Sequence, residues 1–262
     1  MTRIDLQAHK KIYFASDFHL GYPDPATSLA RERRVVAWLD MIKQDAQVIF
    51  LVGDIFDFWF EYHNAIPKGF IRLQGKLAEL SDAGIEIILF TGNHDIWIFD
   101  YFTKEMGIRV FRDPQQYLVQ SETSATSFYV AHGDGLGPGD YGYKVLKRIF
   151  ENKLCQWAYS WVHPHVGIAL ANWWSGSRKD EDRIRRELQP RGANEWLLNH
   201  ATEVEKTTHH DYYIFGHRHL RLDLKVSETS RYLNLGQWCY DNEESNHYAV
   251  FDGHTATLYK FE

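Results

Sequence analysis

Three short runs rich in apolar and β-branched residues occupy 11–16 (KIYFAS), 47–52 (QVIFLV) and 85–91 (IEIILFT). Between them, apolar positions recur at helical spacing over 27–45 and 67–83. This β-α-β-α-β order predicts a mostly parallel sheet covered by helices, with right-handed crossovers that gather the strand C-terminal ends on one edge. Ligands bind at such edges. From 116 onward the pattern shortens to alternating strands at 116–121, 127–132, 212–216, 221–226, 231–235, 247–252 and 255–260, which predict a second sheet. Residues 137–210 interrupt that series with a helical pattern and are read as an insertion within a single domain spanning 1–262.

The chain has 262 residues, 44% hydrophobic and 15% aromatic, enough for a sizeable core. Its net charge of -6 argues against a generally basic surface, so no nucleic-acid partner is expected. Cys155 and Cys239 show neither a disulfide framework nor the spacing of a thiolate zinc site, which fits a reducing compartment, the cytoplasm by default. The opening stretch MTRIDLQAHKKIYFAS lacks a continuous apolar run, so neither a secretory leader nor an anchor is expected in it. No stretch approaches the roughly 20 apolar residues needed to cross a bilayer, so any membrane contact is expected to be peripheral.

Each of the first three strands ends in polar groups that a core strand does not need: Asp17 and His19 in SDFH, Asp54 in GDIFD, and Asn93, His94 and Asp95 in TGNHD. Two later strand ends add His132 in HGD and His217 with His219 in GHRH. Singly, each has an ordinary reading, since an Asp after a strand caps a helix or forms a turn. Five segments with the right residue type at a strand terminus point instead to a shared site. Oxygen and imidazole donors without thiolates suit Mn, Fe, Co or Zn. Glycines beside them (Gly53, Gly92, Gly133, Gly216) let the backbone turn tightly there.

In this order the motifs DxH, GDxxD, GNHD, a His after a strand, and GHxH resemble the calcineurin-like metallophosphoesterases over roughly residues 12–219. The resemblance implies a four-layer α-β-β-α sandwich and two divalent metal ions, manganese first among them. It implies Asp17, His19 and His219 on one ion, Asn93, His132 and His217 on the other, and Asp54 bridging. His94 is then expected to donate a hydrogen bond or proton to the phosphate, with Asp95 orienting it. Asp57 also matches the pattern but reads equally well as a loop-ordering carboxylate.

The insertion bears on the substrate. It carries Trp157, Trp161, Trp173, Trp174 and Trp196, and 11 Lys and Arg against 9 Asp and Glu, so it is about +2 on a body of about -8. Lys144, Lys147, Arg148 and Lys153 form one basic group; Arg178, Lys179, Arg183, Arg185 and Arg186 form another. An apolar face with a cationic rim suits an amphiphile at an anionic membrane surface, although tryptophans at helical spacing are most often core and RKDEDRIRRE reads equally as a solvated face. SDFHLG, GDIFDFWFEY, GNHDIWIFDYF, HGDGLGPGDYGYK and IFGHRHL further resemble the UDP-2,3-diacylglucosamine hydrolases, particularly the branch found in Bacteroidetes-type bacteria. That resemblance implies hydrolysis at the α-phosphorus of a lipid-linked nucleotide in lipid A biosynthesis, with release of UMP. It also implies a lid over 137–210 with Trp157, Trp161, Lys144 and Arg148 contacting substrate, and a peripheral position on the cytoplasmic face of the inner membrane. One position departs, since the best-known members carry Arg where this chain has His94. Another nucleotide or lipid phosphodiester, a nuclease substrate, and a scaffold without catalysis are the alternatives at this point.

Overall fold

The computed structural model describes residues 1–138, 141–176, 188–240, 242 and 245–262. Strands β2 (Lys11–Ala15), β3 (Ala46–Val52) and β4 (Glu86–Phe90) run parallel, and the short β5 (Arg109–Phe111) extends them beyond β4. Helices α1 (Pro25–Ile42) and α2 (Ile71–Asp82) make the crossovers, and α3 (Tyr101–Met106) leads into β5. α1 starts where its sequence says it should: the Asp24 carboxylate accepts from the Ala26 and Thr27 amides, and Pro25 occupies the first turn.

Strand periodicity sorts the side chains of β3 into two cores. Val48, Phe50 and Val52 face inward between the sheets, whereas Ile49 and Leu51 face outward against Trp38, Leu39, Leu77 and Leu80 of α1 and α2. Phe50 stacks on Phe14 at 4.8 Å and meets the edge of Tyr117 at 4.9 Å, so aromatic rings set the spacing between sheets. The facing sheet is ordered β1 (Thr2–Asp5), β6 (Gln115–Gln120), β7 (Ala125–Ala131), β8 (Tyr212–Phe215), β10 (Arg231–Leu235), β9 (Arg221–Lys225). α7 (Trp196–Glu205) covers its outer face, burying Leu197 and Ala201 against Tyr129, Ala131, Tyr213, Phe215 and Tyr232. The result is the expected four-layer α-β-β-α sandwich.

Two strands assigned from sequence to the second sheet belong to the first. β11 (His247–Phe251) pairs antiparallel with β2, placing Ala249 opposite Phe14, and β12 (Ala256–Lys260) pairs with β11. Every residue of β11 is buried, so its apolar run carried no sign of which sheet it joins. β1, β5 and α3 escaped notice because each is six residues or shorter.

Within 137–210 the helices occupy different environments. α4 (Tyr141–Glu151) and α5 (Lys153–Ser160) have no buried residue, whereas α7 is part of the outer layer. α5 and the following α6 (Pro164–Gly176) are tied down by Tyr159, whose ring lies 4.7 Å from Phe60 and 4.9 Å from Trp97 and whose hydroxyl donates to the Gly167 carbonyl. Trp97 donates its indole N–H to Phe150 at the end of α4. The side chains of Trp173 and Trp174, and the basic group from Arg178 to Arg186, lie outside the described residues.

Glu205 fastens the end of α7 by accepting from the hydroxyls of Tyr213 (2.7 Å) and Ser230 (2.6 Å), with His209 Nδ1 at 2.8 Å. Burial favours its protonated form, but the donors of Ser230, His209 and Tyr213 outweigh burial and hold the carboxyl at about 2. Since the folded value lies below the ordinary 4.5, ionised Glu205 stabilises the fold at neutral pH and loses that contribution as pH falls from 4.5 toward 2. Glu205→Gln should cost about 1–3 kcal/mol at pH 7. In denaturant titrations of metal-free protein the deficit should shrink steadily below pH 4.5; a deficit that does not change with pH would mean that ionisation is irrelevant there.

Candidate metal centre

β2, β3 and β4 end side by side, and β7 and β8 end opposite them on the facing sheet. The residues just past these ends are Asp17 and His19, Asp54, Asn93 to Asp95, His132, and His217 with His219. Five of them are non-glycine residues in left-handed backbone: Asp17 (φ 57°), His19 (44°), Asp54 (53°), His217 (67°) and His219 (53°). Each such conformation costs of order 1 kcal/mol or more, and such strain clusters at functional sites. Main-chain bonds between adjacent loops hold the turns, including Asp17 N–H to Gly53 and His19 N–H to the Asp54 carbonyl.

The side chains form two groups that share one member. Donor atoms of Asp17, His19, Asp54 and His219 all lie within 4.8 Å of one another, and so do those of Asp54, His132 and His217. Asp54 Oδ2 stands 3.6 Å from His19 Nε2 and 3.3 Å from His132 Nε2, and His219 Nε2 stands 3.1 Å from Asp17 Oδ1. Although these atoms are close, Asp17 Oδ1, Asn93 Oδ1 and His132 Nε2 are buried without a hydrogen bond. Unsatisfied lone pairs in a buried pocket are costly, and Asp17 and His132 belong to the two groups that share Asp54. An oxygen and imidazole donor set fits divalent cations of borderline softness. Six of the seven residues singled out from sequence as ligands fall in these two groups, and Asn93 lies in the chain between Gly92 and His94, both of which approach the Asp54 carboxylate.

Two of the rings are held through their other nitrogen. His132 Nδ1 lies 2.8 Å from the Val52 carbonyl, and His19 Nδ1 lies 3.2 Å from Asp57 Oδ1, an arrangement that fixes each ring with Nε2 toward the cluster. Ser16 Oγ and the His217 amide both donate to Asp17 Oδ2, and the His94 amide donates to Asp54 Oδ1. Burial would push the carboxyls of Asp17 and Asp54 upward, but the surrounding imidazoles hold both well below the usual range. For His132, burial opposes the charged ring while Asp54 favours it, and the outcome is a rise to about 10. Burial pushes His217 down to about 4.

Glycine serves two distinct needs here. Gly53 has φ 82°, a turn that L-residues avoid. Gly92 and Gly216 matter for closeness: a Cβ at 92 would overlap the Asp54 carboxylate, and one at 216 would lie 2.6 Å from Asp17 Oδ2.

The structure redistributes the expected roles of Asp95 and Asp57. Asp95 does not orient His94; its carboxylate accepts from the Ile55 (2.8 Å), Phe56 (3.3 Å) and Gly92 (2.7 Å) amides and stitches the GNHD loop to the GDIFD loop. His94 Nδ1 is instead 2.9 Å from the Asp57 carbonyl and 3.5 Å from its carboxylate, with the His94 and His19 rings 4.7 Å apart. Asp57 thus contacts both histidines. Arg31 is a second residue that sequence did not expose. Nearly buried in α1, it donates to the carbonyls of Phe18, His19, Tyr22 and Cys239.

Of the expected substrate contacts, Lys144 and Arg148 border a cavity of about 260 Å³ that also touches His132, Asp134, Arg112 and Lys147. Lys144 donates to the Gly137 carbonyl at 2.6 Å. Trp157 and Trp161 stand apart from that cavity, 59% and 76% exposed, with rings edge to face at 6.1 Å.

Comparison with known proteins agrees with this geometry. The calcineurin-like phosphoesterase family profile matches residues 10–221. A protein from Porphyromonas gingivalis named UDP-2,3-diacylglucosamine hydrolase is 40% identical over 96% of this chain and 98% of its own length. Proteins of the same name from Pseudomonas fluorescens (31% identical, 87% of each chain) and Haemophilus influenzae (24% identical, 87% of this chain and 91% of the other) are also similar. With the strand-end motifs present and converging, this chain belongs to the calcineurin-like phosphoesterase family.

Proposed function

We propose that this protein hydrolyses the pyrophosphate of UDP-2,3-diacylglucosamine to UMP and 2,3-diacylglucosamine 1-phosphate, a step of lipid A biosynthesis. The observation that carries the reading is the near end-to-end match to a hydrolase of that name, 40% identical over 96% of this chain. The assembled donor set supports the reaction class.

In this reading Asp17, His19 and His219 hold one divalent ion, Asn93, His132 and His217 hold a second, and Asp54 serves both. Manganese is the first candidate, with iron, cobalt and zinc compatible with the same donors. When bound, such ions lower the pKa of a water toward neutrality and neutralise phosphoryl oxygens. The protein does the rest. His94, its Nδ1 2.9 Å from the Asp57 carbonyl and its ring 4.7 Å from that of His19, is the residue that donates to the phosphate or the leaving oxygen in this reading.

The surface of α4–α6 supports the lipid part of the reading. Tyr141, Val145 and Ile149 recur at four-residue intervals along α4, and Leu154, Trp157, Trp161, Val166 and Leu170 continue the exposed apolar surface. Cationic Lys144 and Arg148 lie beside it. Acyl chains on the apolar face and phosphate near the cations match an amphiphilic substrate presented at a membrane surface. Among the described residues no helix is long and apolar enough to cross a membrane, so this reading places the contact at the surface.

Incubated with Mn and detergent-dispersed UDP-2,3-diacylglucosamine, the protein should release UMP far faster than it cleaves bis(p-nitrophenyl) phosphate. Cleavage of the small diester with no UMP from the lipid would keep the reaction class and overturn the substrate. Asp54→Asn should abolish turnover with the fold intact; activity within about tenfold of the parent, at full metal loading, would remove Asp54 from the shared position. His94→Ala should lower kcat by roughly two to four orders of magnitude without loss of metal. Replacing Trp157 or Trp161 by Ser should weaken use of the lipid by about 1.5–3 kcal/mol and leave the small diester unchanged. Equal losses on both substrates would show that the indoles are not acyl contacts.

A further inference from the structure

The loop after β10 forms one wall of the Asp17, His19 and His219 group. The Trp238 amide donates to the Asp17 carbonyl at 3.0 Å, and Arg31 bonds the Cys239 carbonyl at 2.6 Å while also bonding that of His19 at 2.8 Å. A buried guanidinium therefore ties the main chain of Cys239 to that of His19. Cys239 is 5% exposed, and its sulfur, a nitrogen of His19 and a nitrogen of His219 all lie within 4.8 Å of one another. Zn–S bonds near 2.3 Å and Zn–N bonds near 2.0–2.1 Å separate tetrahedral donors by about 3.3–3.6 Å, so the sulfur reaches ligating distance with a shift of about 1 Å.

An independent observation points into the same space. Asp17 is fully buried, and its Oδ1 lies 3.1 Å from His219 Nε2 without a hydrogen bond. His19 and His219 belong both to the group with Cys239 and to the group with Asp17 and Asp54, so the sulfur approaches the same two imidazoles that flank the carboxylates. No short cysteine spacing signals this, because Cys239 enters from a loop remote in sequence from both Asp17 and His19.

We propose that Cys239 is a sulfur donor to the ion held by Asp17, His19 and His219, and that it biases this half of the centre toward zinc, cobalt or iron(II) over manganese. A thiolate is a softer donor than carboxylate or imidazole, and soft donors discriminate against manganese. The other half of the centre, with Asn93, His132 and His217, has no sulfur in its donor group, so the two positions differ in the ion they prefer.

The test is spectroscopic and uses cobalt alone. Metal-free protein is loaded with Co(II), bound cobalt is counted after dialysis, and the near-ultraviolet spectrum is recorded for the parent, Cys239→Ser, Cys239→Ala and Cys155→Ser. The parent and Cys155→Ser should show a sulfur-to-cobalt charge-transfer band, and both Cys239 variants should lack it. Competition between zinc and manganese, read by elemental analysis, should show the zinc preference falling about tenfold or more in the Cys239 variants. Bound cobalt without that band in the parent overturns the proposal, whatever the fate of the variants. A band that survives in Cys239→Ser, or an unchanged zinc-to-manganese ratio, does the same. Failure to bind cobalt at all overturns the metal reading of the cluster on which the proposal rests.

Discussion

A carboxylate shut inside a protein takes up a proton unless cations or hydrogen-bond donors hold its charge. Asp54 is in that position, and its imidazole neighbours belong to both sheets: His19 follows β2, whereas His132 follows β7. Groups from both sheets thus hold it ionised. The site therefore depends on the separation of the sheets, which the rings of Phe14, Phe50, Tyr117 and Phe128 determine. Main-chain and side-chain bonds then lock the two rims together, as when His132 reaches the Val52 carbonyl and the His217 amide reaches Asp17. Core packing and site chemistry are one problem here.

The strained turns follow from the same crowding. Five acceptor-rich side chains can converge only if their backbones bend sharply away from strand geometry, and the left-handed conformations of Asp17, His19, Asp54, His217 and His219 supply the bend. Stability given up at these positions is offset by the large apolar layers beneath. Asp95 and Arg31 spend buried polar groups on nothing but loop carbonyls and amides, which shows how much structure is devoted to holding the turns.

What the sequence revealed and what it hid divide along the range of the interactions. The clustered donor residues were legible because each sits directly after an apolar run, and strand ends are local features; the β-α-β-α-β half was legible for the same reason. The second sheet was less so, because β11 is apolar on both faces and pairing partners leave no local mark. Asp95 and His94 are adjacent in the chain, which suggested a working pair, yet the carboxylate turns inward to three amides and Asp57 takes its place. Arg31 looked like any polar residue of a charged helix, and its burial is decided by loops that close over it. The helical character of 137–210 was plain, but not that Trp157 and Trp161 stay exposed while Leu197 joins the body.

The placement of β11 against β2 has a consequence for assembly. Until residues 247–251 are available, one edge of β2 has no partner, although β2 carries the first two residues of the site. On a ribosome the β2–β3–β4 core can form early from nearby contacts, but it presents an open strand edge while the intervening residues are made. Closure of that edge brings with it the loop bearing Trp238 and Cys239, whose amide and carbonyl bind the Asp17 and His19 turns. Catalytic geometry is thus withheld from the nascent chain: a product truncated between β10 and Trp238 would keep the motifs, lose the brace behind them, and be prone to sheet-edge association.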